Sequence, residues 1–83
     1  MIYDNDLIKS SLVSMREFLI DLRRDVHKHP ELGFEEIRTM EKISSILKSL
    51  NIKHKTKIAK TGIIADIEGM DKNFTIAFRA DMD

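Results

Sequence analysis

The chain contains no cysteine, which excludes disulfides and thiolate metal sites and is compatible with a reducing compartment. It has one proline and three glycines, and Gly62 and Gly69 do not stand at the spacing of a phosphate-binding loop. Neither sign of charge is in excess. Fourteen basic and 14 acidic side chains give a formal net charge of +0, so no overall field draws the chain to nucleic acid or to an anionic membrane. No run approaches the roughly 20 apolar residues of a membrane span. Asp4 and Asp6 stand where a secretory signal would carry positive charge. A cytoplasmic protein is the expectation. Ser10, Ser11, Ser14, Ser44, Ser45 and Ser49 all fall in helical pattern, without the strand-to-helix elbow that activates a serine nucleophile.

What is present is a small globular pattern. At 83 residues and 42% hydrophobic content, the chain is near the lower size at which one core offsets chain entropy. From Asp6 to about Lys28 the apolar positions Ile8, Leu12, Met15, Leu19, Leu22 and Val26 recur every three or four residues, the stripe of a helix. Pro30 and Gly33 in "HKHPELG" end it. A second helix is predicted from Phe34 or Glu35, with Glu35 and Glu36 in its first turn and the stripe Ile37, Met40, Ile43, Ile46, Leu47 and Leu50. Asn51 suits its exit, because Asn tolerates the left-handed conformation.

Three strands are predicted after it. In "NIKHKTKIAK" the residues Ile52, His54, Thr56 and Ile58 alternate with Lys53, Lys55 and Lys57, giving one lysine-lined wet face. "TGIIADIEG" and "NFTIAFRAD" follow, joined by a loop of hairpin length. The last is apolar on nearly both faces (Phe74, Ile76, Ala77, Phe78, Ala80), as in a strand covered on both sides of a larger sheet. The expected fold is therefore α/β, two helices then three strands, cut from a larger three-layer domain. Asp81 and Asp83 then fall past the C-terminal end of a central strand, where open α/β sheets place ligands.

Each constellation has a plainer reading. Asp81 and Asp83 would share a face in a β geometry and could bind a cation or orient a ligand histidine; equally they could be chain-end solvation. His27 and His29 could ligate zinc if the segment is extended, or could serve capping and loop bonding around Pro30. A metal site from His27, His29, Asp81 and Asp83 is the runner-up. Lys53, Lys55, Lys57 and Lys60 lack the interleaved aromatics of a nucleic-acid surface and suit an edge protected from association.

The stretch "LRRDVHKHPELGFEE" from Leu22 to Glu36, then Arg38 and Thr39, "TGIIADIEG" from Thr61 and "FRADMD" from Phe78 together resemble one family. They are similar to the N-terminal part of the metal-dependent amidohydrolases of the hippurate hydrolase and indoleacetyl-amino-acid hydrolase type, relatives of aminoacylases and carboxypeptidase-G-like metallopeptidases. The resemblance implies residues 1–83 as an incomplete N-terminal part of a catalytic domain. Its parent would hydrolyse the amide of small N-acylated amino acids, with zinc, manganese or a similar metal pair activating a water and a glutamate moving the proton. It also implies that the Cys, Glu-pair and His ligands follow the point matching Asp83, so that these residues bind no metal alone and are inactive.

Carried over residue by residue, Asp83 matches a carboxylate that orients a metal ligand. Asp81 occupies a ligand histidine's position without being assigned as one, and His27, His29 and Glu31 match a signature read as structural near the site. The rival reading is a small module that self-associates through an exposed strand edge.

Overall fold

A computed structural model describes residues 5–82. Two helices, α1 (Asn5–Lys28) and α2 (Ile37–Ser49), precede two strands, β1 (Lys53–Ile58) and β2 (Gly62–Asp66). The α/β order expected from the pattern is the order observed.

Helix α1 follows its apolar stripe over 24 residues, about 36 Å of axis. His29 N–H closes its last turn on the Val26 carbonyl at 3.2 Å, and Pro30 cannot continue the helix. None of its described residues is buried. Leu12 and Met15 are exposed, and its apolar side chains are partly covered only from Ile20 on, at Ile20, Leu22 and Val26.

Helix α2 begins later than the pattern suggests. Phe34 takes a left-handed φ of 65°, Glu35 N–H bonds the Leu32 carbonyl at 2.9 Å, and Glu36 is the cap at φ −78°, ψ 53°. Glu35 and Glu36 are thus not in the first turn. The physical reason is that Glu36 is engaged elsewhere, and another carboxylate, that of Glu31, occupies the helix N-terminus. On the inner face Met40 is buried and Ile43, Ile46 and Leu47 half-buried, whereas Ile37 and Leu50 at the ends are exposed.

The C-terminus of α2 closes as a Schellman motif. Asn51 has φ 57°, Asn51 N–H reaches the Lys48 carbonyl at 3.0 Å, and Ile52 N–H reaches that of Leu47 at 2.9 Å. The turn delivers β1 back along α2.

Strands β1 and β2 pair antiparallel, with Lys53 opposite Asp66, His54 opposite Ala65 and Lys55 opposite Ile64, then an irregularity before Ile58 opposite Gly62. Lys53, Lys55 and Lys57 are exposed while His54 and Thr56 are half-buried. The Ser44 hydroxyl on α2 lies 2.7 Å from His54 Nε2, fixing the hairpin to the helix. Lys57, Ala59 and Lys60 have positive φ. Their turn is so tight that a Cβ on Gly62 would stand 2.6 Å from the Ile58 carbonyl oxygen. Gly62→Ala is therefore expected to cost about 1–3 kcal/mol through forced backbone displacement, measured as a lowered thermal midpoint, whereas Gly69→Ala, with open space around it, should leave the midpoint unchanged.

The third expected strand does not form. Residues 67–82 carry no strand, and Phe74, Ile76 and Phe78 are 59%, 62% and 95% exposed. A sequence apolar on both faces needs cover on both sides as well as an edge to pair with, and two helices and one hairpin supply neither here. The accessible surface is 7884 Å², against about 5,100 Å² for a compact protein of 9.6 kDa. The radius of gyration is 14.8 Å, against about 12 Å for a compact chain of this length.

Candidate functional site

The loop between the helices positions the chemistry. Within residues 28–36, Pro30 and the left-handed Phe34 fold the chain so that Glu31 and Glu36 both turn inward. Glu31 accepts the Arg38 N–H at 2.9 Å, the Thr39 N–H at 2.8 Å and the Thr39 hydroxyl at 2.7 Å, capping α2 from outside its first turn. Glu36 accepts its neighbour's amide, Phe34 N–H, at 3.0 Å and the hydroxyl of Thr61 from the hairpin turn. On the outer side the Lys60 ammonium lies 5.4 Å from the centre of the Phe34 ring, a cation–π contact. The α1 end is clamped by one nitrogen of Arg38, 2.9 and 3.1 Å from the two Asp25 oxygens, with Lys42 at 4.0 Å.

These bonds set the charges. Hydrogen bonding from Arg38 holds the Asp25 carboxyl below its ordinary range despite some desolvation, with Arg38, Lys42 and His29 adding attraction. Burial alone would push Glu31 up, but the Thr39 hydroxyl and the Arg38 and Thr39 amides together hold it down. The Thr61 hydroxyl is the main reason that Glu36 is also lowered.

Two clefts, each of about 360 Å³, open on either side of the segment 80–82. The first is lined by Arg23, His27, His29, Glu31, Thr39, Asp81 and Met82 among others; the second includes Phe34, Glu36, Thr61, Ala80, Asp81 and Met82. His27, His29, Glu31 and Asp81 are thus brought to one cleft, while Asp83 lies outside the described residues. His29 Nδ1 donates to the Asp25 carbonyl at 2.9 Å, which leaves Nε2 as the free ring nitrogen. Asp81 pairs with Arg79 at 3.1 Å. Among the described residues no three His, Cys, Asp or Glu groups stand close enough to hold a metal ion.

The sequence alone does not single out Asp25, Thr39 or Thr61 as partners in this network. All three stand inside the motifs that carry the family resemblance, and that is the available signal. Arg38 is the other; its second terminal nitrogen, Nη1, is buried without a partner among the described residues.

The chain is 46% identical over 66 residues to N-acetylcysteine deacetylase of Bacillus subtilis (strain 168), covering 78% of this chain and 17% of that protein. It is 42% identical over 65 residues to N-acetyldiaminopimelate deacetylase of Bacillus cytotoxicus, covering 77% and 17%. YhaA of Bacillus subtilis (strain 168), named provisionally as an amidohydrolase, is 37% identical over 76 residues, covering 92% and 19%. No family model matches the chain, and no solved structure matches it. The chain spans less than a fifth of the length of these curated relatives, and over that span it resembles a fragment of an amidohydrolase.

Proposed function

We propose that these 83 residues form the incomplete N-terminal part of an amidohydrolase catalytic domain, whose parent hydrolyses the amide of small N-acylated amino acids. The similarity to two deacetylases of N-acetylated amino acids carries this reading. The gathering of His27, His29, Glu31 and Asp81 around one cleft supports it. In the parent, Asp81 and Asp83 stand at the edge of the site, Asp83 orienting a ligand of a divalent metal such as zinc or manganese. The chain includes no cysteine, and among the described residues no three ligand groups cluster to hold such a metal. Glu31 and Glu36 are committed to threonine hydroxyls and backbone amides, so neither is free to act as the proton-transferring base. A cytoplasmic location goes with this reading; among the described residues no helix is long and apolar enough to cross a membrane.

The test has two arms. The 83-residue chain, supplied with zinc or manganese, is expected to release no acetate from N-acetylcysteine. A longer protein, expressed from the gene read beyond the Asp83 codon, is expected to release it. Release by the short chain, or a stop codon directly after Asp83, would overturn the proposal. The exposed apolar surface of Phe74, Ile76 and Phe78 favours a second reading, a self-associating module, which a concentration-dependent mass without turnover would support.

A further inference from the structure

The best-protected side chains here are mostly polar. Thr39, Thr61 and Glu36 are 3%, 5% and 7% exposed, and Met40 at 5% is the apolar residue that joins them. Burying a carboxylate costs more than burying a methyl group unless its bonds are satisfied, so the chain invests its deepest shelter in hydrogen-bond geometry.

That geometry is paired. Glu31 with Thr39 forms one wall of the first cleft, and Glu36 with Thr61 one wall of the second. Asp81 and Met82 line both clefts, so the segment that carries the site's aspartate runs between the two pairs. This segment belongs to no strand, yet Met82 is half-buried where residues 68–81 are exposed. We propose that the two carboxylate–threonine pairs are positioning groups that fix where the Ala80–Met82 segment lies, and with it the Asp81 carboxylate. The inference rests on reading the Asp81 end as the edge of an amidohydrolase site. Neither glutamate touches a substrate here; they act through the segment that they flank.

Because the chain has no cysteine, the Met82→Cys variant carries one thiol, whose alkylation rate reports the placement of this segment. The expected result is slower labelling than in the urea-unfolded chain. Adding Thr61→Val or Thr39→Val should speed it about tenfold, the effect of losing one hydrogen bond to a charged group, with helix content unchanged. Thr61→Ser, which keeps the hydroxyl, should retain the protection. Ser44→Ala, which removes the hydroxyl bonded to His54, should leave the rate unchanged. The proposal is overturned if the thiol labels as fast as in the unfolded chain, if the valine variants do not speed it, if they do so only in step with helix loss, or if Ser44→Ala speeds it equally. No arm reads turnover, so a failed labelling test and an inactive longer protein are distinguishable outcomes.

Discussion

Met40→Ala is expected to lower the stability of the chain by about 2–4 kcal/mol, the cost of truncating a buried Met where the surroundings close only partly. Met40 is 5% exposed in the middle of the inner face of α2, and no other apolar side chain among the described residues is as well covered. A typical domain of this length has roughly 4–12 kcal/mol in total, and one this open has less to lose. Urea denaturation followed by circular dichroism measures the difference. The control is Leu12→Ala on α1, where the side chain is 54% exposed and the change should stay within about 0.5 kcal/mol. Equal costs at the two positions would mean that the stripe of α1 is covered in solution and that the packing described above is incomplete.

Acid is expected to undo the fold through three carboxylates together. Asp25, Glu31 and Glu36 all have folded pKa values below their ordinary ones of 3.8, 4.5 and 4.5. For each, the folded state holds its proton more weakly than the unfolded chain does, so its contribution is fully present above the ordinary pKa and is lost as pH falls through the lowered one. Stability should therefore be flat from neutrality down to about pH 5, then fall steeply below about pH 4.5. Glu31→Gln should flatten part of that fall, because an amide keeps one acceptor oxygen but does not titrate. The measurement is the urea midpoint as a function of pH. A midpoint independent of pH between about 5 and 3 would show that these carboxylates are not engaged.

Much of this architecture is legible in the sequence, for reasons that differ by element. The two helices announce themselves by period, and Asn51 by its tolerance of positive φ; both are local properties. The late start of α2 is not local. Its cap comes from Glu31, six residues ahead of Ile37, and Glu36 is drawn away by Thr61, 25 positions on; no capping pattern read within four residues contains either bond. The segment Phe74–Ala80 has a strand's composition, but a ladder needs an edge and a cover, and composition is silent on whether both are within reach. In the cleft, the motif points to His27, His29, Glu31 and Asp81. Thr39 and Thr61 stand in the same motifs, but their bonds to Glu31 and Glu36 are not legible there, because a hydroxyl's role depends on which acid the fold brings to it.

Helix α1 has a consequence for the order of synthesis. Its 24 residues are synthesised before the Arg38 guanidinium that clamps Asp25. Its stripe of Ile8, Leu12, Met15 and Leu19 remains uncovered even after α2 and the hairpin have folded. A helix of this kind is marginal in water without packing. The chain therefore presents an amphipathic segment that stays exposed, after its own later elements have folded, until something else covers it.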